Sequence, residues 1–396
     1  MTGFAVLHRW SAALVAFVAL IAGGLAVGAV VNAGSSAAAA PSGALAVVVG
    51  AHGNMPRPTL EGAAAAARDV AVAQQSYLSV VVADGAPYTL GRPGPLTADA
   101  ADESDRGEQR AANRRRVDDA VAAARARTPE TDLLAALTVA GNSIADRSGL
   151  RTLVVVDSGL STAGAIDFGR PGMLDADPRE VADTLADFGQ LPSLDGVSVV
   201  FQGLGDTAAP QQPLDAARRT QLVELWTAVV ERAGADAVDV EVSPLAGTPQ
   251  AGLPAVRSVA VDPGFACTPR RLTLSGGALG FRPGEAVLLD PSRVAEVLRP
   301  YAQQLTNGAV IGEVFGRYAD VGDPEARRAL SELRAQQVAN VFIALGVPVD
   351  QLRVKGWGSD FPEYVPDRDS AGHLDPAAAA LNRTVIVEFT EPVSCG

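Results

Sequence analysis

The strongest constraint on this chain is an apolar run near its N-terminus. Between Trp10 and Val31 the sequence WSAALVAFVALIAGGLAVGAVV contains no charged residue, and Arg9 comes immediately before it. A helix that rises about 1.5 Å per residue would cross the roughly 30 Å apolar core of a bilayer over this length. The run therefore predicts a transmembrane helix at about residues 10–31.

The basic residue before the run sets the predicted topology. Because Arg9 flanks the N-terminal side, the N-terminus is expected in the cytoplasm and the rest of the chain outside. A cleaved signal peptide is the competing interpretation, since the small residues NAGSSAAAAPSG that follow could form a cleavage site. The length of the run favours a retained single-pass anchor in the cell membrane. Its lack of ionisable groups indicates a tether and not an ion path.

Charge and composition narrow the classes of function. The net charge is −13 and the pI is about 4.8, which argues against a nucleic-acid binder. Alanine, valine, glycine and arginine are abundant while lysine is nearly absent, as is typical of a high-GC organism, and we expect an actinobacterial source. The part after the apolar run is long enough for two domains.

Strand-like and helix-like patterns alternate through residues 44–244. The short apolar segments typical of buried parallel strands are ALAVVVG (44–50), YLSVVVADG (77–85), RTLVVVDSG (151–159), GVSVVFQGLG (196–205) and DAVDVEVSP (236–244). This alternation predicts an α/β domain with a mainly parallel, Rossmann-type sheet. Residues 1–43 would hold the N-terminus, the anchor and a flexible linker. Residues 245–270 would form a connector, and residues 271–396 a second, smaller α/β domain.

Three ordered motifs of the first domain indicate a family. They read VVVGAHGNM (47–55), PETDLL (129–134) and LVVVDSGLS (153–161). In order and hydrophobic pattern they resemble a von Willebrand factor A (vWA) domain over residues 44–244. The resemblance implies a module that binds another protein of the cell envelope.

The metal site of that family is degenerate in this sequence. The corresponding positions are Gly50, His52, Asn54, Thr131 and Asp157. A hard divalent cation prefers carboxylate oxygens, whereas glycine offers no side-chain ligand and histidine offers nitrogen. We therefore expect no metal and no cofactor, with Asp157 capping a turn and Thr131 acting as the N-cap of the helix that follows.

The second domain carries four ordered motifs over about 110 residues. It resembles the C-terminal domain of outer membrane protein A (OmpA) and of peptidoglycan-associated lipoproteins, an α/β sandwich. The matching positions are Gly316 and Gly322, then Leu330, Ser331, Arg334 and Ala335, then Leu352, Gly356 and Gly358, and finally Asn382, Arg383 and Val385. The resemblance implies that cell-wall peptidoglycan is a partner.

The resemblance also implies a ligand site around Arg334. In the family the matching arginine holds a carboxylate of diaminopimelate in the stem peptide, and an aspartate holds its ammonium group. Ala319 stands at the aspartate position here, with Asp320 one residue later. Asp323 as N-cap, Pro324 as the first residue and Gly346 as the stop predict a helix whose inward face carries Arg334. Arg327, two helical turns before Arg334, and Arg383 complete the predicted ligand-binding set. The alternatives are that Arg334 pairs internally with Asp320 and that Arg383 supports the sheet edge.

The chain contains two cysteines, Cys267 and Cys395, which bracket the second domain. Outside the membrane they could form a disulfide, and only one pairing exists. Two free thiols remain the alternative.

These observations predict a non-enzymatic, membrane-anchored envelope protein. Its OmpA-like domain would associate with peptidoglycan, and its vWA-like domain would bind a protein. The alternative is an envelope assembly factor whose altered OmpA-like site binds a protein partner and not the wall. A hydrolase is disfavoured, because Ser158 and Ser161 follow a strand without a G-x-S-x-G elbow.

Overall fold

A computed structural model of the chain describes residues 43–306 and 312–395. The predicted membrane helix at residues 10–31 lies outside the described residues. Within those two ranges no helix has the length and apolar character needed to cross a bilayer. The described residues belong to one compact unit. They confirm the predicted mixed α/β architecture, whereas the vWA resemblance stays a prediction.

The first sheet is mainly parallel, in the strand order β3-β2-β1-β5-β6-β7, with β4 also pairing with β2. Its strands are β1 (Ala44–Gly50), β2 (Tyr77–Ala83), β3 (Tyr88–Thr89), β4 (Gly94–Pro95), β5 (Arg151–Val156), β6 (Val197–Gln202) and β7 (Ala237–Glu241). Its helices are α1 (Gly62–Ala73), α2 (Glu103–Ala123), α3 (Leu133–Ile144), α4 (Pro178–Asp187) and α5 (Ala216–Arg232). The short β3 and β4 pair antiparallel to β2.

Strand β1 shows why the strand segments are continuously apolar. Ala44, Ala46 and Val48 belong to a core that also contains residues of α3, α4 and α5. Their neighbours Leu45 and Val47 belong to the opposite core, with residues of α1 and α2. Because successive side chains of a strand point to opposite faces, a sheet covered by helices on both faces needs apolar residues at every position.

The second sheet has the order β11-β10-β12-β9-β8, in which only the β10–β11 pair is parallel. Its strands are β8 (Phe265–Thr268), β9 (Arg271–Leu274), β10 (Gly312–Arg317), β11 (Leu352–Gly358) and β12 (Val385–Phe389). The helices of this part are α6 (Gly276–Leu279), α7 (Pro291–Thr306), α8 (Pro324–Ala344) and α9 (Pro376–Asn382). Helices α7 and α8 supply Val294, Leu298, Val338 and Phe342 to the core under the sheet.

The two α/β parts meet along α9. Its residues Ala377 and Ala380 belong to the same apolar core as α3, α4 and α5. Gly172 lies so close that a Cβ added there would overlap the carbonyl oxygen of Ala377. The ring of Phe188 lies 4.8 Å from the ring of His373. The two parts are therefore in close contact at this boundary, where α9 packs against the helices that cover the first sheet.

A disulfide joins Cys267 in β8 to Cys395, which confirms the predicted pairing. The bond spans 128 residues and ties the first strand of the second sheet to the end of the described chain.

Candidate functional site

Helix α8 positions Arg334. The helix begins at Pro324, and the carboxylate of Asp323 accepts the backbone N–H groups of Glu325 and Ala326. Gly346, with a φ of 96°, follows its end. These boundaries are the predicted ones, since aspartate and proline favour a helix start and a left-handed glycine ends it. Arg334 lies on the inward face and is 6% exposed.

The guanidinium of Arg334 is held by backbone carbonyls. Nε donates to the carbonyl of Glu285 at 2.9 Å, and Nη2 donates to that of Arg282 at 3.3 Å. The rings of Phe281 and Tyr318 lie 4.9 and 5.1 Å from its central carbon. Burial lowers the pKa of Arg334 to about 10, so the group is still a cation at neutral pH. No carboxylate of the described residues forms a direct ion pair with Arg334, and the more distant carboxylates of Asp177 and Glu180 only partly offset the effect of burial on its pKa.

Arg334 lines a cleft between the two α/β parts. The second sheet's part contributes the segment from Gly276 to Leu289, while the first part contributes the starts of α4 and α5. The charged and aromatic side chains that line it are Asp175, Asp177, Arg218, Phe281, Tyr318, Arg334 and Arg383. A cleft lined by cations from two directions is chemically suited to a carboxylate ligand.

Arg383 also lines this cleft, and it forms an ion pair with Glu180 of α4. Burial by itself lowers the pKa of Arg383, but the adjacent Glu180 carboxylate raises it overall. Both side chains are mostly shielded, at 11% and 16% exposure. Arg383 therefore pairs across the boundary between the parts, which differs from the predicted alternative of support for the sheet edge.

Asp320 and Arg327 lie in a separate cluster. The Asp320 carboxylate pairs with Arg327 and lies 3.6 Å from Arg368. Its backbone N–H donates to Asp367, which anchors the loop. The alternative that Asp320 pairs with Arg334 is therefore wrong, because the loop directs the carboxylate to two other arginines. Ala319, at the family's aspartate position, is fully buried.

The residue set predicted from sequence thus divides in two. Arg334 and Arg383 meet in the cleft, whereas Asp320 and Arg327 pair elsewhere. Sequence reasoning missed Asp177 and Arg218, which line the same cleft from the first α/β part. No local motif could have identified them, because they reach the cleft only through the packing of the two parts.

Of the positions that the vWA resemblance aligns with a metal site, Gly50, His52 and Asn54 lie at or after the end of β1, Asp157 follows β5, and Thr131 lies just before α3. His52 and Asp157 are buried, with Nε2 and Oδ2 separated by 3.8 Å. A Cβ added at Gly50 would overlap Oδ2 of Asp157. The Asp157 carboxylate therefore occupies the space that any larger side chain at position 50 would need. Asn54 accepts the N–H of Ala208 through its backbone carbonyl. One carboxylate, one imidazole and the hydroxyl of Thr131 do not fit a hard divalent cation.

The predicted capping roles of Asp157 and Thr131 are only partly confirmed. Oδ1 of Asp157 accepts the N–H of Gly159 at 2.7 Å, which is the expected turn cap. Thr131 is not the N-cap of α3, so that prediction was wrong. Asp132 takes the role and accepts the N–H of Ala135. Aspartate is a stronger N-cap than threonine, and Asp132 directly precedes the first helical residue, Leu133.

Comparison with known proteins identifies the second part. Residues 280–371 match the family model described as the OmpA family, which confirms the predicted OmpA-like domain. No curated protein matches the chain.

Several solved structures are similar to a portion of the chain. The periplasmic domain of MotB from Helicobacter pylori is 19% identical with a TM-score of 0.26, covering 32% of this chain and 80% of that one. The peptidoglycan-associated lipoprotein from Burkholderia pseudomallei is 22% identical with a TM-score of 0.24, covering 28% and 86%. An outer membrane protein from Borrelia burgdorferi is 20% identical with a TM-score of 0.23, covering 31% and 93%.

Proposed function

We propose that this chain is a non-enzymatic cell-envelope protein whose OmpA-like domain associates with peptidoglycan. The observation that carries the proposal is Arg334, a buried cation in the matched domain that lines a cleft and has no direct ion-pair partner among the described residues. A buried arginine without a counter-ion is costly unless a ligand supplies one. A carboxylate of the wall's stem peptides has the chemistry to do so.

The apolar run from Trp10 to Val31 supports membrane anchoring. A single helix there would hold the N-terminus in the cytoplasm and the described parts outside. The disulfide between Cys267 and Cys395 is compatible with an oxidising extracytoplasmic compartment. The first α/β part would act as the vWA-like module that binds another envelope protein.

Sedimentation with insoluble diaminopimelate-type peptidoglycan tests wall binding. The full chain, purified in detergent, should co-sediment with the wall, and Arg334→Ala should lose most of that retention because the carboxylate loses its cation. Arg328→Ala is the matched control, since it removes an exposed arginine from the same helix and should be retained like the wild type. Thermal unfolding of each variant checks that the fold persists. Equal retention of Arg334→Ala and wild type on the wall, or retention of neither protein, would contradict the proposal.

Ala319 favours one second candidate. Without a carboxylate at that position the OmpA-like site would bind a protein partner, and the chain would serve as an envelope assembly factor. Failure of wild-type sedimentation, together with Arg334-dependent capture of one specific envelope protein, would favour this alternative.

A further inference from the structure

Strands β10 and β11 have a second face that points away from α8. Successive side chains of a strand alternate between the two faces of a sheet. Val314 and its register partner Val354 point into the core under α7 and α8, so Phe315 and its register partner Lys355 lie on the opposite face. The ring of Trp357 contacts that of Phe315 and lies on the same face. Because β11 is the edge strand of this sheet, these three side chains lie at its border.

Trp357 and Phe315 form a partly exposed aromatic pair. Their ring centres are 4.4 Å apart and their planes are inclined by 31°. The guanidinium of Arg317, which pairs with Glu363, lies 5.3 Å from the centre of the Trp357 ring. The indole N–H of Trp357 donates to none of the described residues and is not enclosed, so it is open to solvent. Rings that are already held in place lose little conformational entropy when a ligand binds.

Lys355 gives this face an uncompensated positive charge. It is the only lysine in the sequence, it is exposed, and it forms no ion pair or hydrogen bond with any described residue. Neighbouring cations on the face do have carboxylate partners, since Arg353 lies 3.7 Å from Glu313 and Arg271 lies 3.3 Å from Glu388. The ammonium group beside the aromatic pair is therefore available to an anionic ligand.

We propose that this aromatic face, defined by Phe315, Lys355 and Trp357, binds an acidic glycan strand of the cell wall. One face of a pyranose ring carries C–H groups, which pack against the negative face of an aromatic ring. The indole N–H of Trp357 donates to a hydroxyl of the sugar, and a carboxylate of the strand lies on the Lys355 ammonium group. Wall glycan exposes such carboxylates on its muramic residues where the stem peptides have been removed.

The inference rests on the proposed function, because the wall is where this strand would be met. It assigns a different ligand to a different face, since Arg334 points to the opposite side of the sheet and would take a group of the stem peptide. Glycan and stem peptide are therefore bound by separate sets of side chains, and variants can remove one without the other.

Calorimetric titration of the full chain, in a detergent without a sugar head group, tests the aromatic pair with two tetrasaccharides. Chitotetraose is neutral, whereas the peptide-free wall tetrasaccharide carries muramic carboxylates. Trp357→Ala should weaken the binding of both about tenfold, because the sugar loses its stacking surface. Trp357→Phe keeps a ring and should keep most of the affinity. Thermal unfolding of each variant checks that the fold persists.

Lys355→Gln tests the charge. The wild type should bind the acidic tetrasaccharide about threefold more tightly than chitotetraose, and Lys355→Gln should remove that preference without changing chitotetraose binding. High salt should remove the preference as well, because exposed charges are screened. Arg299→Gln is the matched control, since it removes an exposed cation from α7 on the other side of the sheet. Equal affinity of Trp357→Ala and wild type for both sugars, or no wild-type preference for the acidic one, would overturn the inference.

Sedimentation with intact peptidoglycan separates this inference from the proposed function. If the wild type is retained through Arg334 but binds neither tetrasaccharide, the wall-binding proposal stands and the glycan assignment is refuted. If the wild type binds the acidic tetrasaccharide through Trp357 and Lys355 but is not retained by the wall, the glycan assignment stands and the proposed role of Arg334 has failed.

Discussion

His52 and Asp157 form a buried polar cluster beside Gly50, at the carboxyl ends of β1 and β5. The Asp157 carboxylate fills the space above Gly50, and Oδ2 finds no hydrogen-bond partner among the described residues. Both ring nitrogens of His52 are likewise buried without a described partner. Burial disfavours the charged form of each group, and this makes the cluster sensitive to pH.

The two residues should respond to pH in opposite directions. Burial raises the pKa of Asp157 from 3.8 to about 6. Its contribution to folding stability is therefore fully present below pH 3.8 and is lost as pH rises through about 6. Burial lowers the pKa of His52 from 6.5 to about 4, with Asp84 opposing the change. The contribution of His52 is therefore lost as pH falls across that window.

Single variants separate the two effects. Relative to the wild type, Asp157→Asn should lose stability when pH drops from about 7 to about 4.5, because only His52 still titrates there. His52→Gln should gain stability over the same drop. Urea unfolding followed by circular dichroism at the two pH values measures both. A change in stability of the same sign in the two variants would contradict the opposite pKa shifts of Asp157 and His52.

Helix α8 packs on β10 and β11 through glycines. A Cβ added at Gly316 would overlap the backbone carbonyl of Ser331, and one added at Gly356 would overlap that of Arg328. The hydroxyl of Ser331 also donates to the carbonyl of Arg328 and accepts the N–H of Gly358. The glycine and serine positions of the OmpA-like motifs are thus explained by the close approach of one helix to two strands.

Gly316→Ala should destabilise this part by about 3 kcal/mol, because a backbone carbonyl cannot move aside as a side chain can. Gly312→Ala is the control on the same strand. Its Cβ would meet the tip of the Leu352 side chain at 3.3 Å, a contact that a small side-chain movement relieves. Denaturant unfolding of both variants makes the comparison. Equal midpoints for the two would show that the helix is not held in close contact at Gly316.

At the scale of the molecule, the Glu180–Arg383 pair joins the two α/β parts. The partners are 203 residues apart in sequence and both are shielded from solvent. Removing one member of a buried pair leaves the other charge uncompensated. Glu180→Ala should therefore cost about 3 kcal/mol in unfolding free energy, and adding Arg383→Met should recover much of that loss.

Asp183→Ala is the control for that experiment, since Asp183 lies on the same helix and pairs with Arg232. That pair is half-exposed, at 66% and 51%, and its loss should change the unfolding free energy by less than about 1 kcal/mol. If Glu180→Ala and Asp183→Ala have the same unfolding free energy, the Glu180–Arg383 pair does not stabilise the molecule.

Local patterns predicted much of this molecule. Continuous apolar segments predicted the parallel strands, because both faces of that sheet are covered. Asp323 and Pro324 predicted the start of α8, because capping acts within one turn. With two cysteines in the chain, only one intramolecular disulfide was available.

Long-range partners depended on the tertiary structure. The sequence could place Arg334 on an inward helix face, but it could not indicate that Asp320 would turn to Arg327. Nor could it indicate that Asp177 and Glu180 would approach the arginines of the other part. Hydrophobic period and capping operate over a few residues, whereas the counter-ions of a buried charge are set by how distant elements dock. The amino-acid sequence by itself therefore determined the elements and two of the cleft's cations, Arg334 and Arg383. The packing of the two parts decided that Arg218 and the acidic side chains would join them.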